Sequence, residues 1–336
     1  MIADLRHPKG QQMKRREFIA ALGGATLWPL VSRAQPTGKV YRIGILETVS
    51  AAQNAANIDA LRNGLQKLGY VEGQNLIVEY RSAEGHAERF PDLASELVLL
   101  KVDVIVTRGT PAVQAAKNAA GATPVVMAAM GAPFLVVPSL SHPGGNVTGM
   151  TTFSEELIGK RIELLKELVP NLSRLALLHN IGNPMGPPEW EEVKTTAGSL
   201  ALKTELFDVR HEEDLRSSFE AAVQHHSDAL LIGADGLTQA YRQTIIDLAA
   251  RHRLPASYPS RDFVENGGLM AYAVNYPDLY FRAASFIDKI LKGVRPAELP
   301  IEQPTKFELT INLKTANALG LTVPPTLLAR SDEVIE

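Results

Sequence analysis

The feature that most constrains the fold is a regular alternation of short β-rich runs and amphipathic helical stretches, which starts after Gly38. In the first unit, Tyr41 to Leu46 is predicted to be a strand, and apolar residues then recur at three- and four-residue steps from Ile58 to Leu68. Such spacing places one apolar face along a helix, and Gly69 is the predicted end of that helix. This alternation predicts a parallel sheet with helices on both faces.

The alternation occurs in two series. The first series has further strands predicted at residues 76–80, 102–106, 124–127 and 147–150. The second series begins with a helix at residues 154–168 and has strands predicted at 174–178, 204–209, 229–233, 255–258 and 269–274. Two series of similar length predict an α/β protein of two lobes, although no residue-level repeat relates them. The predicted boundaries are 39–152 plus about 275–305 for the first lobe, and 153–274 plus about 306–336 for the second.

Residues 13–34 have the pattern of an export signal. Basic residues at 14–16 precede an apolar run from Phe18 to Val31, and Ser32-Arg33-Ala34 supplies small residues for a signal peptidase. The run is shorter than the roughly 20 residues of a membrane-spanning helix, so we predict cleavage near Ala34 and a periplasmic mature protein. The Arg15-Arg16 pair is compatible with either the twin-arginine or the Sec route. Residues 1–12 fit no part of a signal and are predicted to be a start-site extension.

The amino-acid composition limits the binding partners and the cysteine-dependent sites that this protein can have. Cleavage after Ala34 would leave 302 residues and change the formal charge from −3 to −7. An acidic chain with dispersed basic residues is not typical of nucleic-acid binding. The sequence contains no cysteine, which excludes disulfides, thiolate metal sites, a thiol nucleophile and a lipid-modified cysteine. The composition therefore predicts a freely soluble protein of two domains.

In open parallel sheets, ligands bind beyond the carboxyl ends of the strands, so the turns after strands are the candidate sites. In the turn that follows residues 102–106, Gly109 allows close approach of the backbone to a ligand. Thr110 is predicted to be the N-cap of the next helix, and Pro111 its first residue. A helix start of this kind either binds a carboxylate through its free N–H groups or is only a well-capped helix. The turn alone does not distinguish these alternatives.

The second series offers matching candidates. Asp235 follows a predicted strand, where it would either accept a hydrogen bond from a ligand ammonium group or cap the next helix. Tyr258, Tyr272 and Tyr276 lie at or just after strand ends, where rings either line a cleft or pack in a core. Asn180 lies in a strand-to-helix loop whose amide groups would face the same cleft.

No enzyme motif is found. The chain lacks Gly-x-Gly-x-x-Gly, the phosphate-binding Gly-x-x-x-x-Gly-Lys-Ser/Thr, the Gly-x-Ser-x-Gly elbow and His-Glu-x-x-His. The adjacent His225 and His226 would point about 100° apart on a helix and cannot grip one ion together. We therefore predict a protein that is not an enzyme and that needs no metal or other cofactor.

Several segments resemble the substrate-binding proteins of ABC transporters, in the family that includes tryptophan- and tyrosine-binding members. The segments span residues 68–81, 109–113, 143–149, 267–272, 290–293, 299–309 and 317–321. The C-terminal stretch is the most specific of these, and the resemblance covers residues 40–336. It implies a type I periplasmic-binding-protein fold, in which two doubly wound parallel-sheet lobes are joined by a three-segment hinge and enclose the ligand.

The resemblance also implies roles for individual residues. Thr110 and its helix N-terminus become the anion anchor, and Asp235, Asn180 and Tyr272 lie on the opposing face of the cleft. Members of the family commonly have Gly-Asp-Pro where this chain has Gly131-Ala132-Pro133. The lost carboxylate weakens the assignment of an aromatic amino acid as the ligand.

The leading functional hypothesis is the periplasmic solute-binding component of an ABC importer, which delivers its solute to an inner-membrane permease. The expected solute is small and bears a carboxylate, as an aromatic or bulky apolar amino acid does. Delivery of one solute per protein requires only a monomer. The alternative is a periplasmic sensor that presents the same kind of solute to a receptor. A small hydrolase or dehydrogenase on the same scaffold is a third hypothesis, against which the missing motifs count.

Overall fold

In a computed structural model, residues 39–152 and 154–336 are described, and the predicted signal at residues 1–34 lies outside them. The described residues contain twelve strands and twelve helices. The strands are β1 Tyr41–Glu47, β2 Leu76–Ser82, β3 Val104–Arg108, β4 Val125–Ala129, β5 Val147–Gly149, β6 Arg174–His179, β7 Lys203–Asp208, β8 Ala229–Ile232, β9 Ala256–Tyr258, β10 Met270–Val274, β11 Phe307–Asn312 and β12 Glu333–Ile335. The helices are α1 Ala55–Lys67, α2 Phe90–Leu99, α3 Thr110–Ala120, α4 Ser154–Leu168, α5 Gly186–Ser199, α6 Glu213–Gln224, α7 Gly236–Ala240, α8 Arg242–His252, α9 Arg261–Glu265, α10 Tyr276–Leu291, α11 Leu313–Ala318 and α12 Pro325–Leu328.

The strands form two sheets. The first sheet has the order β2-β1-β3-β4-β5, and every pairing in it is parallel. Its strands β3 and β4 are nearly continuous apolar runs, because helices cover both faces of the sheet and bury these strands. We call this sheet with its helices the first lobe.

The second sheet has the order β12-β11-β10-β9-β8-β6-β7 and defines the second lobe. Here the prediction of a parallel sheet needs one correction, because β10 and β11 pair in antiparallel fashion, with Val274 opposite Phe307. The reason is the path of the chain. After β10 it leaves for α10, and it returns at residue 307 from the same side, so β11 runs back along β10. The short strand β12, which sequence reasoning missed, then pairs parallel to β11.

The chain passes between the two sheets three times: after β5, after β10 and before β11. The first and third passages lie side by side, since the N–H of Glu302 donates to the carbonyl of Gly149 at 2.9 Å and the N–H of Thr151 donates to the carbonyl of Glu302 at 2.9 Å. In the second passage, α10 packs closely on α1 of the first lobe. These passages are the only covalent links that the described residues provide between the sheets, and they suit a hinge.

Each sheet has a hydrophobic core on both faces. Ile43, Val104 and Leu279 belong to one core of the first lobe, and Leu177, Ile162 and Ile311 belong to one core of the second. Each lobe therefore has cores of its own, and Val274 at the end of β10 also joins the first-lobe core that contains Ile43. Among the described residues, no helix combines the length and the apolar character that crossing a membrane requires.

Candidate functional site

A cavity of about 90 Å³ lies between the lobes, at the carboxyl ends of parallel strands from both sheets. One water molecule needs about 10–15 Å³, so the cavity has room for several waters or a small solute. Side chains that line it from the first lobe include those of Thr48, Phe90, Arg108 and Thr110. Those from the second lobe include Asn183, Met185, Asp235, Leu237, Gln239 and Ser260, and Tyr276 lines it from the start of α10.

The wall of the first lobe contains the start of α3. The N-cap is Gly109, at φ 85° and ψ 146°, and Thr110 is the first helical residue rather than the predicted cap. Only glycine readily adopts that conformation, which explains the shift by one residue. Because Pro111 has no N–H, Thr110 and Ala112 are left with the unpaired donors of the first turn. These N–H groups and the helix dipole favour an anion at this end of the cavity.

The Thr110 hydroxyl strengthens this interpretation. Thr110 is 3% exposed, and its Oγ1 has no hydrogen-bond partner within the part of the chain that the structure describes. Leaving a buried hydroxyl unpaired costs about 1–3 kcal/mol, so such groups normally have a partner. A ligand in the cavity would supply one.

Arg108 places a positive charge next to the same turn, and sequence reasoning did not select it. Its Nη2 donates to Thr48 Oγ1 at 3.2 Å, its Nε lies 3.6 Å from Glu47 Oε2, and the guanidinium lies 5.3 Å from the ring centre of Tyr276. These contacts use only part of the five N–H donors of the guanidinium. The available signal was its position, at the end of a predicted strand and immediately before Gly109.

The groups that surround Arg108 favour its positively charged form. Burial opposes the charge of Arg108, but Tyr280 and Glu47 outweigh burial and raise the pKa of this guanidinium further. Burial raises the pKa of the Glu47 carboxyl, although Arg108 and a hydrogen bond from the Tyr280 hydroxyl act in the opposite direction. Arg108 is therefore a fixed cation in the cavity wall.

The wall of the second lobe contains Asp235. Its Oδ1 accepts a hydrogen bond from the Leu237 N–H at 2.8 Å, and Asp235 is the N-cap of α7 in a capping box with Thr238. Its Oδ2 accepts a hydrogen bond from Asn183 Nδ2 at 2.6 Å. The capping alternative is therefore observed. It does not exclude the ligand role, because a carboxylate has about four acceptor positions and Asp235 also lines the cavity.

The structure brings four of the seven predicted site residues together: Gly109, Thr110, Asp235 and Tyr276 all line the cavity. Asn180 is not part of the lining, and its Oδ1 accepts a hydrogen bond from the Gly182 N–H at 2.9 Å. The residue of this loop whose amide lines the cavity is Asn183, three positions further along.

Two of the predicted tyrosines lie outside the lining. Tyr258 is 2% exposed and stacks on Phe263 at 5.0 Å in the core of the second lobe. Tyr272 lies two residues before the end of β10, where it packs near Phe307 with ring centres 6.0 Å apart. Side chains alternate between the faces of a strand, so a position near a strand end does not by itself direct a ring to the cleft.

The described residues contain no cluster of histidine and acidic side chains suited to a metal ion. Comparison with known proteins identifies the family of this chain. A family model described as ABC transporter substrate binding protein matches residues 42–335. The chain belongs to this family. The proteins of the family bind solutes and are not enzymes, in agreement with the absence of catalytic motifs.

The relatives are similar over nearly the whole described region. A tyrosine-binding protein from Clostridioides difficile is 24% identical over 289 residues, which cover 84% of this chain and 82% of that protein. An ABC domain from Streptococcus pneumonia, crystallised in complex with L-Trp, is 27% identical with a TM-score of 0.80, covering 88% of this chain and 99% of that one. A conserved domain protein from Vibrio cholerae is 26% identical with a TM-score of 0.82, covering 88% and 100%. The predicted type I periplasmic-binding-protein fold is thereby confirmed.

Proposed function

We propose that this substrate-binding protein captures an aromatic or bulky apolar amino acid between its lobes and delivers it to an ABC importer. The observation that carries the proposal is the distribution of charge around the cavity. The start of α3, the unpartnered Thr110 hydroxyl and Arg108 lie on one wall, and Asp235 lies on the other. An amino acid has the matching pair of charges, a carboxylate and an ammonium group.

The carboxylate would bind the N–H groups of Thr110 and Ala112 together with the Thr110 hydroxyl, with Arg108 close by. The ammonium group would donate to the free acceptor positions of Asp235. The remaining lining includes Phe90, Met185 and Leu237, which offer an apolar surface to a side chain. The Tyr276 ring, held against Arg108, gives an aromatic face. The relatives named for tyrosine and crystallised with L-Trp support this choice of ligand class.

Contacts between the lobes support capture by closure. Gln53 Nε2 donates to the carbonyl of Ala240 at 3.2 Å, and a Cβ on Gly85 would lie only 2.9 Å from the Cβ of Ala240. Gln53 and Gly85 belong to the first lobe and Ala240 to the second, so the lobes touch at the rim of the cavity. A ligand that contacts both walls favours this closed arrangement over an open one.

The proposal extends to cellular context. The export pattern at residues 13–34 supports a periplasmic location, and the family supports a permease partner in the inner membrane. The protein would work as a monomer without a cofactor. Closure would then present one composite surface to the permease.

A thermal-shift screen tests the ligand class. At a hundred times the dissociation constant a ligand stabilises the fold by about 2.7 kcal/mol, which raises the melting temperature measurably. We expect a response to L-tryptophan, L-tyrosine or a bulky apolar amino acid. A response to a sugar or a nucleoside, with none to amino acids, would contradict the proposal.

A further inference from the structure

A buried ion pair lies beneath the wall of the second lobe. His179 is the last residue of β6, and its Nε2 lies 2.9 Å from Oε2 of Glu189, in the first turn of α5. Both side chains are fully buried. Residues 180–185 lie between the strand and the helix and include Asn183 and Met185 of the cavity lining. The ion pair therefore closes this loop at its base.

The imidazole of His179 also packs against a second turn, which follows β8. A Cβ on Gly233 would lie 2.3 Å from Cγ of His179, so the ring lies directly against the backbone of Gly233. Gly233 leads into Ala234 and Asp235, which line the cavity. Any change in the position of the ring would be transmitted to this turn, because no side chain separates them.

The two turns meet again at the cavity through the 2.6 Å hydrogen bond from Asn183 to Asp235. Asn183 is fixed further, since its Oδ1 accepts from the Met185 N–H at 3.0 Å. The ion pair is thus linked to Asp235 by two routes: through the loop that ends in the Asn183 hydrogen bond, and through the backbone of Gly233, against which the His179 ring lies.

The carboxylates near His179 favour its protonated form. Burial disfavours the imidazolium, but the carboxylates of Glu189 and Asp235 outweigh burial and raise the pKa of His179 above its ordinary value. Arg161 opposes this effect; its Nη2 donates to the carbonyls of Ile232 at 2.7 Å and Ser257 at 2.8 Å. Breaking a buried pair leaves an uncompensated charge, so the pair resists displacement.

We infer that His179 and Glu189 are positioning residues for ligand recognition: their ion pair fixes the turn that presents Asp235, and so sets the discrimination for the ligand's ammonium group. This inference rests on the proposed function. His179 and Glu189 do not line the cavity. Their proposed role differs from a general contribution to stability, because it affects the affinity only for ligands that carry an ammonium group.

The test is a ratio of affinities, measured by isothermal titration calorimetry with L-tryptophan and with indole-3-propionate, which lacks the ammonium group. In His179→Leu and Gly233→Ala we expect L-tryptophan to bind about tenfold more weakly, and indole-3-propionate to change by less than about threefold. His179→Gln can still donate toward Glu189 and should keep both affinities within about threefold of the wild type.

Tyr70→Phe is the matched control, because it removes a buried hydrogen bond of 3.0 Å to Asp288 in the first lobe. It should lower stability without changing the ratio. If His179→Leu does not fold, Gly233→Ala and His179→Gln still decide the question. An unchanged ratio in Gly233→Ala, with binding by the wild type intact, would overturn this inference alone. Failure of the wild type to bind L-tryptophan or any other amino acid would overturn the proposed function and this inference with it.

Discussion

In the proposed binding mode, individual residues of the cavity have separate tasks. Thr110 and the N–H groups of α3, on one wall, would bind the carboxylate, and Asp235, on the other wall, would bind the ammonium group. A change at one wall should therefore affect only ligands that carry the matching group.

Thr110→Val should weaken both an aromatic amino acid and its analogue without the ammonium group. Valine has a similar volume and removes only the unpartnered hydroxyl. A hydrogen bond to a charged group contributes roughly 1.5–3 kcal/mol, or about 10- to 150-fold in affinity. Calorimetric titration with both ligands measures the effect, and equal affinities in the variant and the wild type would contradict the anchor role.

Asp235→Asn should weaken the amino acid far more than the analogue. Asparagine also caps helices, so α7 should keep its N-cap and the stability should change little. The loss should again be about 10- to 150-fold for the amino acid. A parallel loss for both ligands would argue against an ammonium contact.

The His179 pair should also make stability depend on pH. The pKa of His179 is raised in the folded state, so its stabilising effect is complete below the unfolded pKa of about 6.5 and is lost as the pH rises through the folded value. We expect the stability difference between the wild type and His179→Gln to shrink as the pH rises from 6 to 9. Urea unfolding at several pH values measures this difference, and a constant value would contradict the assigned protonation.

At the scale of elements, the contact between α1 and α10 depends on a glycine. A Cβ on Gly64 would lie 2.6 Å from the carbonyl oxygen of Phe281 and 2.7 Å from the Cβ of Ala284. Gly64→Ala should therefore destabilise the fold by about 1–3 kcal/mol through overpacking.

Gly198→Ala in α5 is the control, because no atom lies within 4 Å of the Cβ it would add. It should stabilise the fold by up to about 1 kcal/mol, since alanine is the better helix former. Urea unfolding of both variants tests the pair of predictions. A loss of stability in Gly198→Ala equal to that in Gly64→Ala would show that packing against α10 is not the cause.

Most helices and strands could be predicted from the sequence, because burial of one face of an element imposes a periodic spacing of apolar residues. The helix at residues 154–168 has the predicted bounds, and the strand predicted at 174–178 is one residue longer in the structure. Loop geometry is not encoded in this way. The N-cap of α3 is Gly109 rather than the predicted Thr110, because the backbone at this position has a conformation that only glycine readily adopts. Asn183 rather than Asn180 lines the cavity, because Asn180 takes part in a turn within its own loop. The antiparallel direction of β11 was missed, because it follows from the path of the chain.

At the scale of the whole molecule, binding should depend on closure of the lobes. Ala240→Leu would add bulk where Ala240 meets Gly85 across the cleft and should hold the lobes apart. We expect weaker binding with little change in stability, because each lobe has its own cores. Ala250→Leu, at an exposed position on α8, is the control. Calorimetric titration should separate the two variants, and equal affinities would contradict closure as a requirement.

The central claim is that the cavity selects a solute with both a carboxylate and an ammonium group. The most direct measurement is to incubate the purified protein with an equimolar mixture of amino acids, sugars and nucleosides, remove unbound solute, denature the protein and identify the released solute by mass spectrometry. Selective release of an aromatic or bulky apolar amino acid is the predicted result, and release of a sugar or a nucleoside, or of nothing enriched over the mixture, would contradict the claim.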